Sequence, residues 1–278
     1  MRVGVIASGT RHPVLDAMAG LLAPAHHVGW IDPGHGTDPN DPPADVYLLK
    51  ARTRPALALS RTLEERGALV VNSAAATGLC QDRTAMAALA HSAGLPFPET
   101  TTFPTLGGLY DATTDTDLTR PLVVKSRHSR RHDLVARVDS AVRLQALAAD
   151  WAQEPVVVQP FADNSGRDHK LWVVGDRVFA ALRPSELAST GRGPTVSLPL
   201  GELPAGWIDL VREVGAVFAL DVYGVDIVDT GDGTPLIVDI NAFPGIRDQE
   251  GAPEALAALV LRTATGDRAR ATGAPPPS

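Results

Sequence analysis

The sequence predicts a parallel α/β segment followed by α+β units, and three observations carry that expectation. Through about residue 75, short apolar runs alternate with helix-spaced ones, the pattern of parallel strands with helices between them. Beyond residue 155, apolar runs come in adjacent pairs split by Gly175-Asp176 and by Asp232-Gly233, which is hairpin turn chemistry. The stretch between holds one helix pattern, one strand and a second helix. Divisions are expected at 1–75, 76–155 and 156–266. Residues 267–278 read as a disordered tail with too few apolar side chains to pack.

Taken in order, residues 2–7 are a short apolar strand ending in a polar turn at Ser8-Gly9-Thr10, and 13–22 carry helix-spaced apolar positions. A second strand fits 28–31, followed by a loop rich in Pro, Gly and Asp. A third, 46–49, delivers Lys50 at its C-terminal end. A helix over 55–66 leads to a strand over 68–71, which ends at Asn72-Ser73. Ligands of such sheets gather beyond the carboxyl ends of the strands, where Ser8, Lys50 and Asn72 fall. No G-x-G-x-x-G occurs, so no dinucleotide is expected. Residues 82–94 form a helix stopped by Gly94, 121–125 a strand carrying Lys125, and 140–151 a helix. Residues 155–161 read as a buried strand, and 168–174 with 177–183 as a hairpin. A long loop over 185–199, containing Arg192, suits a substrate lid. Helices over 206–220 and 253–265 flank a last pair of strands.

Composition narrows the function classes. With 44% hydrophobic and 21% charged residues, the chain is an ordinary globular one. A net charge of −7 argues against wholesale nucleic-acid binding. No apolar run is long enough to span a bilayer and no signal-peptide pattern is visible, so a cytoplasmic enzyme without membrane partners is expected. Cys80 is the single cysteine, which excludes an internal disulfide. Of the 25 basic residues only Lys50, Lys125 and Lys170 are lysine. Lysines that survive such a bias towards arginine are candidates for sites needing a compact ammonium rather than a planar fork.

The chemistry centres on Pro235 to Gly245. Four apolar residues run into Asp239, and Asp239 and Asn241 share a strand face. If this strand pairs with the run 223–228, Asp226 joins them as a third hard oxygen ligand, a set that suits magnesium. Capping a turn is the plainer role for any one of the three. In the 168–183 hairpin, antiparallel pairing brings Lys170 towards Arg183, and like charges side by side call for an anion between them. The run Ser126-Arg127-His128-Ser129-Arg130-Arg131-His132 reads either as a solvated turn or as a mobile basic flap over phosphate.

Together these motifs resemble the ATP-grasp superfamily, over nearly the whole chain from Met1 to about Thr265. The resemblance implies a small N-terminal Rossmann-like (pre-ATP-grasp) domain and two α+β lobes closing over Mg-ATP. It implies that Arg83, Lys125, Asp168, Lys170 and Ser185 meet the nucleotide, with Gln159, Pro160 and Phe161 at the adenine. Lys170 and Arg183 match cations near the transferred phosphate, which makes them the catalytic pair, and Asp226, Asp239 and Asn241 match the magnesium ligands. Two branches look closest, the ribosomal-protein glutamate ligases and the inositol-trisphosphate kinases. The resemblance to them places an anionic acceptor, carboxylate or phosphorylated, among Lys50, Arg127, His128, Arg131, His132, Arg192, Gly245 and Arg247. The first branch implies an acyl phosphate that an amine converts to an amide, the second a phosphorylated alcohol. A nucleotide-binding module without turnover is a third reading, and a homodimer is one oligomeric option. The basic flap departs from the family pattern in lacking glycine.

Overall fold

Four short apolar strands at the start of the chain are too few to bury both their faces without helices. The computed structural model describes residues 1–9, 12–35, 42–113, 120–185, 187 and 193–266. Strand β1 (Arg2–Ile6) runs parallel to β2 (His27–Ile31) and β3 (Val46–Leu49), and β3 to β4 (Val70–Val71), in the order β2-β1-β3-β4. Helix α1 (Pro13–Leu22) covers one face, and its first-turn proline gives up no helix hydrogen bond. Helix α2 (Arg54–Glu65) covers the other, capped by the Thr53 hydroxyl.

After α3 (Ala74–Leu79), α4 (Arg83–Ser92) begins at Asp82, whose carboxylate accepts from two backbone amides of the first turn. A second, antiparallel sheet is built from β5 (Thr101–Phe103), β6 (Leu122–Ser126), β7 (Val135–Val138) and β8 (Val156–Pro160) in the order β5-β8-β6-β7. Helices α5 (Leu106–Thr113) and α6 (Ala141–Trp151) share its core. The third sheet, order β11-β10-β9-β12-β13, comprises β9 (Arg167–Val174), β10 (Arg177–Pro184), β11 (Val196–Ser197), β12 (Val222–Asp229) and β13 (Pro235–Ala242). One face carries α7 (Trp207–Phe218) and α4, the other α8 (Ala252–Ala264) and α1. Between β12 and β13, Asp232 and Gly233 both take positive φ, 53° and 76°. That is the turn Asp-Gly favours, because its twist matches the strands.

The expected divisions of the chain do not coincide with the sheets. Val156–Pro160 pairs with β5 and β6, so the second sheet ends after Pro160 and not before Val156. Helix α4, from the expected middle segment, buries Met86, Ala87 and Ala90 against the third sheet's core. Helix α8 shares a core with α1 of the first sheet. Apolar faces pack wherever they find partners, irrespective of sequence distance.

Asn72 shows how the first and third sheets are joined. It is 1% exposed, its amide donates to the Val222 carbonyl at 2.6 Å, and its side-chain oxygen accepts from the Asp221 and Val222 amides at 2.8 and 3.0 Å. Its position at the end of β4 thus serves the joint rather than a ligand. Asn72→Ala orphans the Asp221 and Val222 amides, each at a cost of about 1 kcal/mol or more, while the Val222 carbonyl keeps the Phe243 amide at 2.8 Å. A loss of about 2 kcal/mol in denaturant-measured stability is expected.

Candidate active site

The site lies in a cleft of about 410 Å³ between the second and third sheets. The register of the third sheet does most of its assembly. Asp226 on β12 stands opposite Lys170 on β9 and opposite Asp239 on β13, so the three side chains form one row across three strands. Arg183 on β10 stands opposite Asp168 on β9, two residues along the same face. After the Asp226–Asp239 pair the register of β13 slips, and Ile227 faces Ile237, leaving Val238 as an extra residue. Such a bulge turns the following side chains to the opposite face. Leu236 and Val238 below it, and Asp239 and Asn241 above it, therefore all line the cleft, while Ile237 and Ile240 enter the core behind. The bulge also frees the Val238 carbonyl, which accepts from Lys125 Nζ at 2.7 Å. Strand β6 of the second sheet is thereby fastened to β13.

Apart from exposed Arg52, each cation within the cleft has an acidic neighbour. Arg83 donates to Asp133 at 2.7 Å and to the Ser126 carbonyl at 2.8 Å. Its Nε, buried and without a hydrogen-bond partner, lies 3.8 Å from Asp239. Lys170 is ion-paired with Asp226, and Arg183 approaches Asp168 at 3.6 Å. Asn241 donates to Asp239 at 3.1 Å. Burial pushes the Asp226 carboxyl up, against the pull of Lys170. Burial likewise brings Lys125 down to about 8, partly offset by Asp239. The paired carboxylates and the cations around them hold one another in a desolvated space.

On the second sheet, Gln159 donates to the Thr100 hydroxyl at 2.9 Å, and Pro160 and Phe161 continue the cleft wall. Arg137 stacks 4.1 Å over the Phe161 ring.

Residues 81–257, well over half of the 278, match the RimK-like ATP-grasp domain. The chain belongs to that family. A curated relative, the probable alpha-L-glutamate ligase 2 of Hahella chejuensis, is 30% identical over 143 residues, covering 48% of this chain and 45% of that protein. This chain therefore spans less than half of that relative's length. Among solved structures, a RimK domain protein ATP-grasp from Sphaerobacter thermophilus aligns with TM-score 0.71 at 23% identity, over 94% of this chain and all of that one. The ATP-grasp ligase PsnB, complexed with minimal precursor, Mg and ADP, aligns with TM-score 0.66 at 17% identity, over 94% and 97%. At these identities the likeness establishes the ATP-grasp fold.

The RimK-like chain brings most of the residues expected for nucleotide and metal to one place. Arg83, Lys125, Gln159, Pro160, Phe161 and Asp168 line the cleft, as do Arg183, Ser185, Asp226, Asp239 and Asn241. Lys170 reaches it through Asp226. The acceptor residues are scattered. Lys50, Gly245 and Arg247 gather beside the cleft with His12, whereas Arg192 lies outside the described residues. Arg127 grips both oxygens of Asp82 at 2.7–3.2 Å, His128 forms a β-bridge with Asp82, and Arg131 donates to exposed His132 at 3.1 Å.

Two expectations are corrected here. Residues 126–132 are not a free basic flap, because Arg127 is neutralised by Asp82 and Arg130 by Glu154 at 2.6 Å, and the Ser129 amide donates to Gln81. His132, with φ 60°, takes the left-handed position that glycine would otherwise fill. The proximity of Lys170 to Arg183 does not by itself demand an anion, since each faces its own carboxylate. Sequence reasoning did not reach Arg52 and Asp133, both in the cleft wall. Arg52 sits two residues beyond the surviving Lys50, and that spacing was the available signal.

Proposed function

We propose that the chain is an ATP-dependent carboxylate–amine ligase that works through an acyl phosphate. The observation that carries this reading is the row Lys170–Asp226–Asp239 facing Lys125 and Arg83 across a narrow cleft, in a RimK-like chain. The unpartnered Nε of Arg83 supports an anion there. The glutamate ligase name of the Hahella relative supports a carboxylate acceptor.

Among the described residues no three His, Cys, Asp or Glu side chains gather as a metal cluster. The donor set here is two carboxylates and the Asn241 amide, oxygen donors that suit magnesium. Asp226 and Asp239 face one another across β12 and β13, a pairing that a divalent cation would relieve. The PsnB complex with Mg and ADP supports the same ion. Magnesium, when bound, would offset phosphate charge.

The protein's own part is positioning and neutralisation. Lys125 and Arg83 would hold the phosphate tail, and Arg183 and Lys170 the group in transfer. Gln159, Pro160 and Phe161 would flank the base. An acceptor carboxylate oxygen attacks the γ-phosphorus, the bond to the β-phosphate oxygen breaks, and ADP leaves. The amine nitrogen then attacks the acyl carbon, phosphate departs, and the nitrogen's proton passes to solvent.

The test is incubation of the protein with Mg-ATP, candidate carboxylic acids and hydroxylamine. Hydroxamate formed in step with ADP and free phosphate is expected. ADP formed without free phosphate, with a stable phosphate ester as the product, would replace the ligase by a kinase.

A further inference from the structure

One buried amide at the cleft has its orientation decided by the residues behind it. Gln159 is 3% exposed, yet it lines the cleft. The register of β5 on β8 pairs Thr101 with Val158, so the next step along sets Thr100 opposite Gln159. Gln159 Nε2 donates to the Thr100 hydroxyl at 2.9 Å, and that hydroxyl donates in turn to the Pro98 carbonyl at 2.8 Å. Pro98 is itself buried, and among the described residues no backbone amide donates to its carbonyl.

A hydroxyl has a single proton to give, whereas a carbonyl can only accept. With that proton committed to Pro98, Thr100 offers Gln159 nothing but lone pairs, and only the NH2 end of the amide can face them. The two ends of an amide are nearly equal in shape, so the relay of donors, and not packing, fixes which one turns inward. The oxygen is left for the cleft. Among the described residues none donates to Gln159 Oε1, and that atom is not closed off in the interior.

We propose that Thr100 is a positioning residue for nucleobase selection. It holds the Gln159 oxygen towards the cleft, so that the site takes a purine bearing a 6-amino donor and rejects one bearing a 6-keto oxygen. Adenine supplies the donor. Hypoxanthine and guanine would set oxygen against oxygen with no proton between them, leaving a buried acceptor unpaired. Thr100 acts through Gln159 and not on the base itself. This rests on the placement of the base beside Gln159, Pro160 and Phe161 given above, and is independent of which acceptor is phosphorylated. Valine at this position keeps the shape of threonine and removes the relay. The amide is then free to turn over and offer its NH2 group to a 6-keto oxygen.

The test is calorimetric titration of the protein with Mg-ADP and with Mg-IDP, whose bases carry the 6-amino and the 6-keto group. The parent is expected to bind ADP at least about tenfold more tightly. In Thr100→Val that preference should fall at least about fivefold, whereas Thr100→Ser, which keeps the hydroxyl, should retain it. Both nucleotides are measured on one preparation, so a partial folding defect affects the two alike and leaves their ratio unchanged. Equal binding of ADP and IDP by the parent, or a parent-like preference in Thr100→Val, overturns the proposal and leaves the nucleotide site in place. A preference lost in Thr100→Ser as well overturns it too, because the hydroxyl would then not be the deciding group. Folded parent protein that takes up neither nucleotide overturns it together with the placement of the base.

Discussion

Asp239→Ala is expected to lower Mg-ATP-dependent turnover by about three orders of magnitude while leaving the protein folded. Losing one of two carboxylates from the proposed metal site forfeits several kcal/mol of charge stabilisation, and about 4 kcal/mol corresponds to that rate factor. The fold should tolerate the change because the metal-free protein gains little from this carboxylate. Asp239 faces Asp226 directly across β12 and β13, and its charge helps to raise the Asp226 carboxyl. Its removal relieves that repulsion, and the weakened hold on Arg83 at 3.8 Å offsets the gain. Unfolding free energy should therefore shift by no more than about 1 kcal/mol. Steady-state rates across a magnesium titration, together with urea unfolding, check both halves. Turnover near the parent rate would remove Asp239 from the metal site.

Lys125→Arg is expected to weaken ATP binding at least tenfold, about 1.4 kcal/mol, although the formal charge is kept. Lys125 is 7% exposed, and its ammonium fits a slot whose far wall is the Val238 carbonyl. A guanidinium is wider, spreads its donors in a plane and cannot shed its proton, whereas the lysine's pKa has already fallen to about 8. Over-filling the slot would push β6 away from β13 and open the cleft between them. Calorimetric ATP affinity equal to the parent's would mean that the slot accepts either cation and that lysine is not required there.

Much of the third sheet was legible in the sequence. Period-two alternation and an Asp-Gly turn fix which residues of β12 and β13 share a face, and so bring Asp226, Asp239 and Asn241 together. The bulge at Val238 was not legible, since no glycine or proline marks it and valine is an ordinary strand residue. Nor does a run of valines state its partner, which is why β8 was expected with the third sheet rather than the second. The basic run at 126–132 misled for a related reason. Its counter-charges, Asp82 and Glu154, lie 45 and 24 residues from Arg127 and Arg130, and only the folded chain brings them close. The joint at Asn72 escaped because a strand-end asparagine looks the same whether it faces a ligand or another sheet's backbone.

The partnership of α8 with α1 has a consequence for biosynthesis. Leu15 and Met18 are fully buried in a core completed by Leu256, Leu259 and Val260. A ribosome that has delivered β1 to β4 has not yet made the residues that shield this surface. The opening quarter of the nascent chain must wait, greasy side uppermost, for a helix translated long after it. That interval is when a chaperone has something to hold, and a chain halted after Ala242 would leave the surface bare.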